Sequence, residues 1–196
     1  MQKVNYNIKM KQQIQNLNGK PKLLLHVCCA PCSSGALPKL QQHFDITLYY
    51  YNPNIYPKDE YLLRADQFAK LTNLPLVVCD YNHDEFLNSI KGLEQCEEGG
   101  SRCQKCIALR LENSFAYAKA NNFDYVTTTL SISPHKDADF INMCGQQLEP
   151  QYNISYLYAD FKKDNGYLNS INESKKFDLY RQDYCGCEFS MRPNKQ

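Results

Sequence analysis

The sequence predicts an α/β fold, a doubly wound sandwich on a mainly parallel five-stranded sheet. Three observations carry this: five short apolar runs, helical patterns lying between them, and the nearly continuous rather than alternating character of most runs. A strand covered by helices on both faces buries successive side chains on opposite sides, so it reads as an unbroken apolar stretch. At 196 residues the chain has the size of one domain and can bury a core without help from disulfides.

The first strand is expected at 22–27 and is followed by a helix at 34–43. A second strand at 46–51 leads to a helix at 58–72, and a third strand lies at 75–80. The clearest helix spans 103–121, where Ile107, Leu111, Phe115 and Ala118 recur at helical spacing and Gly99-Gly100-Ser101 supplies the turn into it. A fourth strand at 125–130, a helix at 136–148 and a fifth strand at 154–161 complete the alternation, with a less regular helical pattern at 167–181. Residues 1–20 read as a polar extension, 21–192 as a single domain and 193–196 as a frayed tail. The extension has no apolar core like that of a secretory signal, and no run is long and apolar enough to span a bilayer. A cytoplasmic protein without a membrane partner is expected.

Ten cysteines in a chain without an export signal point to metal ligands or catalytic thiols rather than disulfides. Net charge is only +1, so any nucleic-acid partner must be met by a local basic patch. The first cluster is Cys28-Cys29-Ala30-Pro31-Cys32, where the first strand ends and ligands bind in open α/β sheets. Successive strand residues point to opposite faces, so Cys28 and Cys29 can share a site only if the chain is already turning there, as Pro31 and Gly35 suggest. Single buried cysteines are ordinary core residues, but three in five positions are hard to explain by packing. A phosphate-cradling turn is the competing chemistry; of it only Ser33, Ser34 and Gly35 are present.

The second cluster is Arg102-Cys103-Gln104-Lys105-Cys106, opening the clearest helix, where positions i and i+3 share a face and the helix N-terminus, with Arg102 and Lys105 beside it, favours thiolates. The third is Cys185-Gly186-Cys187, compact enough to provide two metal ligands or a strained redox disulfide. Together the clusters hold seven thiols, whereas a four-iron cluster or a structural zinc takes four, so further redox or metal chemistry is expected beside the first site. Cys79 and Cys144 read as core residues, and Cys96 is assigned no role. His26 reads as a satisfied core histidine. The run from Thr127 to Lys136 brings hydroxyls, His135 and Lys136 to the same sheet edge as Cys28, for substrate or phosphate contact or for helix capping.

These motifs in this order resemble the stand-alone epoxyqueuosine reductase family QueH. The likeness covers about residues 22–190 and rests on Leu-Leu-His-Val-Cys-Cys-Ala-Pro-Cys at 24–32, Gly-Gly-Ser-Arg-Cys-Gln-Lys-Cys at 99–106 with Arg110-Leu111, and Thr-Thr-Thr-Leu-Ser-Ile-Ser-Pro-His-Lys at 127–136. Asp-Phe-Lys-Lys at 160–163 and Leu-Tyr-Arg-Gln-Asp-Tyr-Cys-Gly-Cys-Glu-Phe-Ser at 179–190 complete it. The resemblance implies a Rossmann-like fold related to the nucleotide α-hydrolases and removal of the epoxide oxygen from epoxyqueuosine at the tRNA wobble position. It further implies a [4Fe-4S] cluster held by Cys28, Cys29, Cys103 and Cys106, and a redox-active pair, Cys185 and Cys187. Cys32 is left for a second metal, a mononuclear iron, or for exchange with one of the four. Lys136, Lys162, Lys163 and Arg181 are expected to meet tRNA phosphates, and an electron donor that the sequence does not identify is required. Two other classes compete: an ATP-using tRNA-modifying enzyme on the same fold, and a non-catalytic zinc module that binds RNA.

Overall fold

A computed structural model describes residues 4–191, so the tail at 193–196 lies outside the described residues. Strands β1 (Lys22–His26), β2 (Asp45–Tyr50), β3 (Leu76–Val78), β4 (Tyr125–Thr128) and β5 (Ser155–Tyr156) form one sheet in the order β3-β2-β1-β4-β5. Every neighbouring pair is parallel, and Leu24 on the central strand sits opposite Thr47 on one side and Val126 on the other. Leu23, Leu25 and Val27 pack into one core with helices α2 (Ala30–Ala36), α3 (Lys58–Asp66) and α4 (Phe68–Leu71). Leu24 faces the opposite way, into a second core with α6 (Ser101–Ala120) and α7 (Ala138–Tyr152). Burial on both sides of β1 is why its sequence is a run of leucines, and the fold is the doubly wound one expected.

From β1 the chain winds outward through β2 to β3, then crosses back to enter β4 on the other side of β1. The reversal opens a crevice beyond the carboxyl ends of β1 and β4, where open α/β sheets bind their ligands.

Several boundaries differ from the expectation. The helix after β1 begins at Ala30 rather than at residue 34, because Pro31 suits a first helical turn and Cys29 is extended enough to cap it. A short helix, α5 (His83–Ser89), anchored by the buried Phe86, lies in the stretch before α6. The final helical pattern resolves as α8 (Gly166–Lys176) followed by a loop carrying Cys185 and Cys187.

The strand expected at 154–161 is reduced to Ser155–Tyr156. Its outer edge is taken by a side chain: Gln13 donates Nε2–H to the Tyr156 carbonyl at 2.9 Å and accepts the Tyr158 N–H at 2.9 Å. Gln13 belongs to α1 (Tyr6–Gln15), a helix within the segment read as a polar extension, and Met10 from the same helix is buried in the first core. An amide that satisfies unpaired strand groups also blunts the edge against association.

Gly145 on α7 lies against the buried ring of Tyr156, and a Cβ there would come within 2.5 Å of three ring atoms. Gly145→Ala is therefore expected to lower stability by about 1–3 kcal/mol, the usual cost of overpacking a tight contact. Urea denaturation of both proteins checks this; an unchanged midpoint at unchanged slope would mean that the α7–β5 contact is looser than described.

Candidate active site

The end of β1 is pinned before its thiols emerge. His26 is fully buried, with Nδ1 2.8 Å from Thr128 Oγ1 on β4 and Nε2 3.0 Å from the Tyr51 carbonyl after β2. A carbonyl can only accept, so Nε2 carries the proton and Nδ1 accepts from Thr128. Burial, reinforced by the nearby Arg110 charge, lowers the imidazole pKa to about 4 and keeps it neutral. His26 is thus the satisfied core histidine expected, joining three strands at the crevice.

Beyond His26 the chain turns at once into α2, with the Ser33 amide and hydroxyl both donating to the Cys29 carbonyl. That turn resolves the opposed directions of adjacent strand residues. The sulfurs of Cys28, Cys29 and Cys32 all lie within 4.8 Å of one another. Hydrogen bonds from the Cys29 and Cys32 thiols hold Cys28 well below the usual thiol range, and the Lys136 and Arg110 charges add to this against the cost of burial. Its partners shift the other way: Cys29 is pushed up to about 12 by its bond to Cys28, and Cys32 is also raised. Gln182 Nε2 donates to Cys29 Sγ at 3.2 Å.

Cys103 and Cys106 lie in the first two turns of α6. Cys103 Sγ accepts the Gly99 N–H at 3.2 Å, and burial beside Phe86, Ile90 and Cys187 pushes the Cys106 thiol up to about 11. The cation beside these thiols is not Arg102, whose guanidinium turns back to donate to the Glu94 and Cys96 carbonyls and lies over the Phe189 ring. Arg110, one helical turn after Cys106 and buried, fills that place and donates Nε–H to the Cys106 carbonyl at 3.2 Å. Although burial opposes its charge, Cys106, Cys185 and Cys28 together raise its pKa.

The Cys185–Cys187 turn is held from behind. Gly186 has φ +136, and a Cβ there would meet Ile55, Arg64 and Asn54 at 3.1–3.2 Å. Its carbonyl accepts the Tyr56 N–H at 2.8 Å, and the Cys185 carbonyl accepts from Arg64 Nη1 at 3.1 Å. Arg64, only 1% exposed, is also paired with Glu60 at 2.6 Å. On the open side of the turn, Lys136 Nζ lies 3.2 Å from Cys185 Sγ. Burial lowers the Lys136 pKa, but the Cys185 and Cys28 charges more than offset this and raise it overall. Cys187 is buried, its thiol raised by that burial, with Ser190 Oγ 3.6 Å away.

Two adjoining clefts result. One, of about 600 Å³, is lined by Cys103, Cys106, Cys185 and Cys187; the other, of about 1110 Å³, by Cys28 and Cys32. Cys185, Arg110, His135 and Lys136 line both and so stand between the two groups of thiols. The donor set fits a metal centre: clustered soft sulfur donors, with the cations Arg110 and Lys136 beside them to balance the charge they would carry as ligands. All ten cysteines are free thiols, and Cys144 is the buried core residue expected.

The basic residues divide by role. Lys162 Nζ bonds the Ser131 and Lys136 carbonyls at 3.0 and 3.4 Å and lies 3.2 Å from Asp160, so its ammonium is engaged in fixing the loop after β4. Lys163 is exposed and lines a shallow groove with Tyr6 and Asp160. Arg181 lines the larger cleft while Nη1 donates to the Ser170 carbonyl and Ser174 Oγ. His135 is exposed at the mouth of both clefts. Arg64 and Gln182 were assigned no role from sequence; the one available signal was the Glu60–Arg64 spacing on α3.

Fold and site together define a doubly wound α/β protein with a cation-backed, thiol-rich centre at its topological switch point. A family model described as epoxyqueuosine reductase QueH matches residues 23–193. A protein named epoxyqueuosine reductase QueH from Streptococcus pyogenes serotype M1 is 41% identical over 203 residues, covering 97% of this chain and 80% of its own length. Proteins of the same name from Staphylococcus epidermidis and Thermotoga maritima are 39% and 32% identical, covering 96% and 89% of this chain and 85% and 92% of their own lengths. The chain belongs to the epoxyqueuosine reductase QueH family.

Proposed function

We propose that this chain reduces epoxyqueuosine to queuosine at the wobble position of tRNA. The observation that carries the reading is the convergence of three separated cysteine motifs on one pair of clefts at the β1/β4 switch point, in a chain of this family. The reaction breaks both epoxide C–O bonds, forms a C=C bond and releases the oxygen as water, taking up two electrons and two protons. Cys28, Cys29, Cys103 and Cys106 would hold a [4Fe-4S] cluster, and Cys32 would be left for a second, mononuclear iron. When bound, such a cluster supplies electrons at low potential. Cys185 and Cys187 form the redox-active pair: closing to a disulfide, two thiols give up the two electrons and two protons the epoxide requires. Lys136 holds an ammonium proton between Cys185 and the cleft, and buried Arg110 balances the thiolates around it.

The ATP-using alternative loses its chemistry at α2. Ser33 and Ser34 donate their hydroxyls to the Cys29 and Pro31 carbonyls, and Gly35 is packed against α8, so the Ser/Gly positions are engaged within the fold. Anaerobic incubation with epoxyqueuosine-containing tRNA, a low-potential reductant and then mass analysis of the digested nucleosides tests the reading. Queuosine should appear; no conversion by the wild-type protein would overturn it.

A further inference from the structure

The larger cleft carries two tyrosines on its walls, Tyr167 from the first turn of α8 and Tyr184 beside Cys185. Tyr184 is held in place: its hydroxyl donates to the Tyr56 carbonyl at 2.6 Å, and the Arg64 guanidinium lies 5.1 Å from its ring centroid. Tyr167 is 38% exposed, and its ring packs on no other aromatic or cationic group among the described residues. Arg110, Lys136 and Arg181 line the same cleft against Glu98 and Asp183, so it is cationic as well as aromatic, and its other wall carries Cys28 and Cys32.

This combination suits unpaired RNA. A nucleotide that reacts at the thiols must leave its stack, and the loop around it must recover that stacking elsewhere. A tyrosine ring offers its face to any base, and one locked at its hydroxyl loses little freedom on binding. Phosphates, by contrast, call for the cations. We propose that Tyr184 and Tyr167 are stacking platforms for nucleobases of the substrate's single-stranded loop, so that the enzyme requires its target in unpaired RNA. The inference rests on the reading that the substrate is a tRNA nucleotide, and it specifies how that nucleotide's neighbours are held.

The test uses an anticodon stem-loop with 2-aminopurine next to the wobble position, titrated with the intact protein. Binding should quench the fluorophore. Tyr184→Leu and Tyr167→Ser should each weaken binding on the order of tenfold to a hundredfold and relieve the quench, while Tyr184→Phe, which keeps the ring, retains both. The slope of log affinity against log salt should be unchanged, because no phosphate contact is lost. Tyr167 is exposed, so its serine variant tests the idea even if Tyr184→Leu fails to fold. Undiminished quench and affinity in a folded Tyr167→Ser protein would overturn the proposal, as would equal binding of a fully paired duplex or a salt slope that falls with the rings. Wild-type protein that quenches the loop yet never forms queuosine would overturn the proposed reaction while supporting this surface.

Discussion

Anaerobically prepared Cys103→Ala and Cys106→Ala proteins are expected to lose the iron, sulfide and visible colour of the wild type, and with them all reductase activity. The two thiols stand three residues apart at the start of α6, on a face shared with Arg110, and the cleft they line adjoins the one that reaches Cys28. Alanine leaves the helix intact and removes one of the four proposed ligands, a loss that a cubane cluster does not tolerate without a substitute. One further thiol, Cys32, stands within 4.8 Å of Cys28 and Cys29, on their side of the site rather than beside Cys103 and Cys106. Iron and sulfide assays with a visible spectrum decide the point, and they also separate this enzyme from a colourless zinc module. Full iron, sulfide and colour in either variant would show the ligand set to be wrong.

Much of the fold was legible because its information is local. The leucines of β1, the apolar stripe of α6 and the turn residues before it each record their surroundings within a few positions. What escaped depends on contacts that no local pattern encodes. The polar helix α1 buries Asn7 as well as Met10, and Asn7 bonds to Asp164, 157 residues away, so its inner face does not look apolar. The fifth strand ends early because Gln13 occupies its edge. Arg64 reads as a solvated helix residue until its Cys185 partner arrives from 121 residues further on.

The site divides in the same way. Thiol spacing marked all three clusters, since their chemistry depends on neighbours one to three residues apart. Sequence could not show that Cys185 borders both clefts, or that Arg110 rather than Arg102 acts on the Cys106 thiol. Nor could it show that the Lys162 ammonium is engaged by a carboxylate and two carbonyls. Each depends on where a side chain points after distant segments have packed.

Cys185→Ser and Cys187→Ser proteins should keep most of the cluster colour and RNA binding yet convert no epoxyqueuosine, even with a strong low-potential reductant. Serine preserves size and a hydrogen-bonding group, so the anchors behind the turn, Arg64 on the Cys185 carbonyl and Tyr56 on the Gly186 carbonyl, remain available. What is lost is the sulfur. A hydroxyl cannot close to a disulfide, and the substitution removes the sulfur that lies 3.2 Å from the Lys136 ammonium. The two thiols of the proposed pair are unequally placed: Cys185 borders both clefts, whereas Cys187 is buried and its thiol is raised by that burial. Loss of activity with cluster retained would place the pair in the chemistry rather than in cluster binding; loss of colour in both variants would make them ligands instead. Mass analysis of nucleosides from the double variant gives the sharpest outcome, because undiminished queuosine there would exclude any role for these sulfurs in the reduction.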